Sequence, residues 1–226
     1  MDYHRITHIS DPYFKQMHEL MQTVFPPEEV LAFEAWADPL QDPGIRVFVA
    51  VHEGIVVGAT EYRYYDDMQV AMTDFTIIGR EGLGIGPFLV KQRTQDLLSL
   101  VQQSGGRLQG MFAEIYNPYL AQDHSFGGVK PMDPFVRREV LAHLGYRKLD
   151  LSYVHPSWQQ DGAAVQELDL GFMPFGEDAE ELASIPAALV SAFLETYYAI
   201  LPNKPQAWYA MVEQLKQRDR IGLLPL

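Results

Sequence analysis

Three glycines at alternate positions, Gly82, Gly84 and Gly86, lie between an apolar, β-rich run, VAMTDFTII, and a helix-patterned run, FLVKQRTQDLLSLV. Glycine weakens both helices and strands, so three of them at a strand-to-helix junction need a reason. The first turn of a helix leaves backbone N–H groups without partners, and the helix dipole puts partial positive charge there. Without side chains in the way, such a backbone lets a phosphate or pyrophosphate approach closely. The same glycines also suit a tight turn with no ligand, and by themselves they do not separate the two readings.

The neighbours of the glycines remove two phosphate-binding motifs. A P-loop places Lys-Ser or Lys-Thr directly after its last glycine, but Pro87 and Phe88 follow Gly86. A dinucleotide fingerprint spaces its glycines G-x-G-x-x-G, and the third position falls on Pro87 or Leu89. The strand before the glycines also follows a hairpin rather than opening a parallel βαβ unit. That hairpin is IRVFVAVHEGIVVGATEYRYY, two β-rich runs around the turn His52-Glu53-Gly54.

The rest of the chain reads in order. HRITHI is a short strand, and DPYFKQMHELMQTVF carries Phe14, Met17, Leu20, Met21 and Val24 at helical spacing. PPEEVLAFEAWA is a second short helix opening on prolines. The helix after the glycines runs to about Gln103 and stops at SGG. LQGMFAEIY is a strand, residues 117–133 are a long loop, and FVRREVLAHL is a helix capped by Asp133 with Pro134 in its first turn. GYRKLDLSYVHP and AVQELDLGFMPF read as a closing pair of strands. Two helices, IPAALVSAFLETYYAIL and KPQAWYAMVEQLKQR, make up the tail.

Composition narrows the function classes. The 226 residues suffice for one large domain or a domain with an extension. The net charge of −13 argues against a nucleic-acid surface, which needs clustered Lys and Arg. There is no cysteine, so disulfides and thiolate metal sites are excluded. No apolar run is long enough to span a bilayer, and MDYHRITHIS lacks a signal-peptide pattern, so no membrane association and a cytoplasmic location are expected.

The order of elements resembles the GNAT superfamily of N-acetyltransferases over roughly residues 4–173. REGLGIGPFLV looks like that family's Q/R-x-x-G-x-G/A loop, with Gly84 and Gly86 on its two small positions. VLAHLGYRKLD is similar to its FYxKLGF segment. The resemblance implies an α/β (α+β) fold with a mixed, mostly antiparallel central sheet flanked by helices. It also implies an acyltransferase domain over residues 1–175 that uses acetyl-CoA or another short acyl-CoA as co-substrate, without metal. The acceptor it implies is an amine, favoured here as a small molecule, which attacks the thioester directly. Ile77, Ile78, Gly82, Leu83, Gly84, Ile85, Gly86 and Asn117 are then the residues expected at the cofactor.

The chain departs from the family at two places. Glu81 stands at the loop's usual Gln or Arg, with Arg80 beside it, and Leu141 stands at the family's frequent tyrosine acid. These departures favour an alternative, a GNAT-fold protein that binds CoA in a regulatory or partner role with little or no catalysis. A third reading is an interaction protein in which the glycines only make a turn.

For catalysis, Glu114 is the first candidate base, because it interrupts an apolar strand; a solvent-facing strand residue is the competing reading. Asp74 and Glu61 are further carboxylates on neighbouring strands. With Leu141 at the usual acid position, Tyr116 is the substitute acid. His124, in the long loop, and Arg137 and Arg138, at the start of the late helix, are secondary candidates with solvated surface roles as the alternative. The tail, residues 176–226, carries Trp208, Met211, Val212 and Leu215 at helical spacing. Such a stripe must be covered, either by the chain's own core or by a second copy in a homodimer, and the dimer is slightly favoured.

Overall fold

The computed structural model describes residues 1–25, 30–120, 133–157, 163–165 and 167–226. The described chain forms two compact units, residues 1–108 and residues 109–120 with 133–226.

The first unit is an antiparallel meander with a helix on each face. β1 (Asp2–Ile6), β2 (Ile45–His52), β3 (Ile55–Tyr65) and β4 (Val70–Ile78) pair in that order. β2 reads IRVFVAVH, with Val47–Val51 an unbroken apolar run because both faces of the strand are covered there. Val47, Val49 and Val51 pack with Phe14, Met17 and Met21 of α1 (Pro12–Val24). Ala50, between them, packs with Ile85 and Leu89 of α2 (Ile85–Ser104). Asp11 caps α1 by accepting from the Tyr13 N–H. The β2–β3 turn falls where the sequence puts it, but His52 pairs with Ile55, so the turn is Glu53 and Gly54 alone, both at positive φ. Within the described part of the 26–37 stretch the expected short helix is a single 3-10 turn, Phe33–Trp36, which buries Trp36. Pro26 and Pro27 lie outside the described residues.

In α2, Ile85, Leu89, Arg93, Leu97 and Val101 are buried at four-residue intervals. The helix ends on Gly105 in the left-handed conformation. Its first residue crowds β3, since a Cβ on Gly58 would lie 2.4 Å from Ile85 Cγ2 and 2.8 Å from the Ile77 carbonyl oxygen. Gly58 is therefore fixed by helix–strand packing.

The second unit is also built on antiparallel pairing. β5 (Gly110–Tyr116) pairs with β9 (Leu168–Pro174), β9 with β6 (Arg147–Leu149), β6 with β11 (Arg220–Leu224), and β11 with β10 (Ser184–Pro186). α3 (Pro134–His143) is capped by Asp133, as its sequence implies. The expected closing pair of strands forms, but β6 is only three residues long. Beyond it the chain leaves the ladder until β7 (His155–Pro156) pairs with β8 (Ala164–Val165).

The tail is more than two helices. α4 (Ala187–Tyr197) and α5 (Gln206–Lys216) lie between β10 and β11, and β11 joins β6 through Leu223–Leu149 and Leu224–Lys148 pairs. Phe193 stacks on Phe112 of β5 at 4.0 Å. Trp208, Met211, Val212 and Leu215 are all buried within the chain. The stripe expected to favour a second copy is covered by the tail's own unit. No described helix is long and apolar enough to cross a membrane.

Candidate active site

The glycine loop joins β4 to α2. Gly82 and Gly84 have φ of +80° and +65°, and a Cβ on either would meet nothing within 4 Å. Space is open there, so the glycines answer a conformational need rather than a steric one. Gly84 is the residue before the helix, and no side chain caps it. The Gly84 carbonyl accepts from the Phe88 N–H, which starts the helix ladder. Gly86 differs, since its Cβ would stand 3.0 Å from Ile78 Cδ1. Glu81 is exposed, as is Arg80. Of the other residues expected at a cofactor, Ile77 and Ile85 are core side chains, Leu83 is half-buried and Ile78 is 41% exposed.

β4 carries a bulge just before this loop. Glu61 pairs with Phe75 and Tyr62 with Thr73, so Asp74 is the extra residue. Asp74 is exposed and Glu61 half-buried. Burial, then the charge of Asp74, raises the Glu61 carboxyl well above its ordinary value, with Arg63 opposing. Below the bulge, Arg93 Nη1 donates to Thr73 Oγ1 at 2.8 Å and to Thr76 Oγ1 at 3.0 Å. Sequence reasoning missed Arg93, although a cation in an otherwise aliphatic helix stripe is the signal for it.

Glu114 occupies a different setting from the solvent-facing alternative. Its Oε1 accepts from Tyr153 Oη at 2.5 Å, from His155 Nδ1 at 2.7 Å and from Tyr198 Oη. The carboxylate thus marks Nδ1 as the protonated ring nitrogen of His155. Tyr198 Oη also lies 2.6 Å from Tyr153 Oη and 2.7 Å from His155 Nδ1, which closes the cluster. Burial raises the Glu114 carboxyl, but the His155 imidazole and the three hydrogen bonds outweigh it and hold the group below the usual carboxylate value. Burial, and then the Glu114 charge, push both tyrosine hydroxyls far above the ordinary phenol.

Three elements build this cluster. Glu114 shares a face of β5 with Phe112, two residues before it, and both meet α4 through Tyr198 and Phe193. Tyr153 and His155, also two apart, come from the stretch where the chain has left β6. The sequence reading took SYVHP as plain strand, yet two polar rings at i and i+2 were a legible sign of a shared polar partner. Tyr198, 84 positions from Glu114, gave no local signal.

Tyr116 ends the same strand and Asn117 follows it. Tyr116 is half-buried, and its hydroxyl bears on Arg137, whose guanidinium pKa burial draws down. Asn117 Nδ2 donates to Asp169 Oδ2 at 3.2 Å, and Asn117 Oδ1 accepts from the Tyr119 N–H. Asp169 also pairs with Arg138 at 2.8 Å, so Arg138 is a buried ion-pair partner and not a solvated one. Leu141 is half-buried on α3. His124 lies outside the described residues.

No family model matches the chain, and no curated protein matches its sequence. Solved structures do match it. One is described as a GNAT-family acetyltransferase from Bacteroides thetaiotaomicron, at TM-score 0.62 and 15% identity, covering 88% of this chain and 97% of that one. The fold is that of the GNAT acetyltransferases. An aminoglycoside 6'-N-acetyltransferase complexed with coenzyme A matches at TM-score 0.53 and 16% identity, covering 78% of this chain and 100% of that one. The ribosomal-protein-S18-alanine N-acetyltransferase from Escherichia coli matches at 0.52 and 10% identity, covering 80% and 97%. The GNAT fold agrees with the order of elements read from the sequence, and the 88% coverage by the first of these extends the likeness beyond residue 173.

Proposed function

We propose that the protein moves an acetyl or other short acyl group from acyl-CoA to an amine, with a small molecule as the acceptor. The observation that carries this reading is the open, uncapped helix start at Gly84, reached from a bulged strand through glycines at positive φ. Backbone N–H groups there suit the CoA pyrophosphate, with Gly82, Leu83, Gly84, Ile85 and Gly86 as the cradle and Ile77, Ile78 and Asn117 as the further residues we assign to the cofactor. Ile77 and Ile85 act through their backbone, because their side chains belong to the core.

In the proposed reaction the acceptor nitrogen forms a bond to the thioester carbon and the C–S bond breaks. The nitrogen gives up a proton and the departing thiolate takes one. Glu114 is the group we place at the acceptor amine and Tyr116 the one we place at the thiolate, since Leu141 has no proton to give.

Calorimetry with CoA tests the reading. Gly84→Val adds a side chain where φ is +65°. The new side chain has room, but the left-handed backbone costs roughly 1–2 kcal/mol for a residue with a Cβ. The variant should fold, with α2 starting differently, and bind CoA more weakly than the wild type. Equal affinity would show that the loop is not the cradle. Acetyl transfer to a panel of amines then separates a working enzyme from a protein that only holds CoA.

A further inference from the structure

We propose that Glu114 is a fixed anionic receptor for the ammonium group of the acceptor, and that Tyr198 of the tail is its positioning residue. This rests on the reading that Glu114 serves the acceptor side of an acyltransferase. It goes further by naming the acceptor's charge and by giving the tail a part in the site.

All three donors converge on one oxygen, Oε1. The second oxygen, Oε2, has no donor among the described residues. The donors are sealed in, with Tyr198 at 0% exposure, Tyr153 at 6% and His155 at 7%. The Glu114 side chain keeps 16%. The carboxylate is thus gripped from inside by one oxygen and open at the other.

Its partners also differ from those of other carboxylates in the fold. Two other half-buried carboxylates, Asp96 and Asp169, each pair with an arginine. Among the described residues Glu114 has only His155 as an ion-pair partner, and the other two groups facing it, Tyr153 and Tyr198, are neutral hydroxyls. A cation at Oε2 gives that oxygen a charge-assisted donor, which a neutral hydroxyl acceptor does not. Tyr198 matters because it touches every other member. It donates to Glu114 and lies within 2.7 Å of both Tyr153 Oη and His155 Nδ1.

The test uses the full chain labelled with 13C at the glutamate carboxyls, in the absence of CoA. The Glu114 resonance is assigned by its loss in Glu114→Gln. Addition of 1,4-diaminobutane at neutral pH should shift that resonance saturably, and sodium chloride at matched ionic strength should not. Tyr198→Phe, checked for native fold by circular dichroism, should weaken the diamine on the order of ten-fold, the worth of one hydrogen bond to a charged group. It should also move the titration midpoint of Glu114 upward, because a donor to the ionised form has gone. A purely structural tyrosine would leave both readouts unmoved in a folded variant. Absence of a saturable shift in the wild type, or unchanged diamine affinity in Tyr198→Phe, overturns the proposal. Failure of the acyltransferase reading is seen separately, as a protein that binds the diamine at Glu114 but takes up no CoA.

Discussion

Each unit of the molecule buries a carboxylate among tyrosines, and the two are settled in opposite ways. In the first unit Asp96 of α2 receives both forks of Arg46, through Nε and Nη2, and the Tyr62 hydroxyl at 2.6 Å. Tyr3 Oη stands 3.4 Å behind Tyr62. Both Asp96 oxygens are used, and a full positive charge faces the negative one. In the second unit Glu114 has neutral hydroxyls and one imidazole, all on one oxygen. A bidentate arginine spends the carboxylate on structure. A carboxylate held by one side only keeps the other for a ligand.

Ending the chain after Phe175 should have the largest effect. This removes Tyr198 and Phe193 and bares Phe112, which is fully buried against Phe193. It also strips β11 from β6. The product should aggregate or lose cooperative urea unfolding, since an exposed apolar sheet face cannot remain in water. A soluble, folded truncation that bound CoA normally would return the tail to the role of a detachable dimer contact.

Asp96→Ala should come next. It leaves the Arg46 guanidinium buried without its partner, which costs about 3–5 kcal/mol. Against a typical total of roughly 5–15 kcal/mol this is close to unfolding, and the urea midpoint reads it. Glu114→Gln should cost less stability, about 1.5–3 kcal/mol, because hydrogen bonds to a charged group are lost but no buried arginine is stranded. Its larger effect belongs to catalysis, a fall in acetyl transfer of about 10² to 10⁴. If Glu114→Gln proves as destabilising as Asp96→Ala and leaves transfer unchanged, the two clusters are alike and both are structural.

Acid titration sharpens the contrast further. The folded Glu114 carboxyl lies below its ordinary value, so its contribution is present at neutral pH and above the unfolded pKa. That contribution is lost as pH falls from the ordinary carboxylate value through the lower, folded one. Glu114→Gln should therefore flatten the acid limb of stability against pH, and an unchanged limb would contradict the cluster's geometry. The smallest effect is Tyr62→Phe. Asp96 keeps both Arg46 contacts, so about 0.5–1.5 kcal/mol is expected from thermal or urea unfolding.

Much of the fold was legible because it is written locally. The β2–β3 hairpin, the Asp133 cap of α3 and the Gly105 stop of α2 each rest on a few adjacent residues. Strand boundaries after β6 were not legible, because LDLSYVH alternates as a strand whether or not a neighbour is there to pair with it. The chain turns from the ladder to bring Tyr153 and His155 to Glu114, and only that long-range partner says so. The tail was half legible. Its helices showed in their spacing, but what covers them is decided by Phe112 and Glu114, more than 70 positions upstream.

By itself, the sequence determined the order of the longer strands and helices as far as α3, the glycine start of α2 and a lone acid in the apolar strand β5, since backbone preference and periodicity act over a few residues. The tertiary structure alone decided what that acid is. Glu114 in an exposed strand would be an ordinary solvated carboxylate. Packing of α4 and the 150–156 segment onto β5 removes water from one of its oxygens and replaces it with three donors. Burial with charge-stabilising partners, which no local pattern encodes, turns the residue into a held anion.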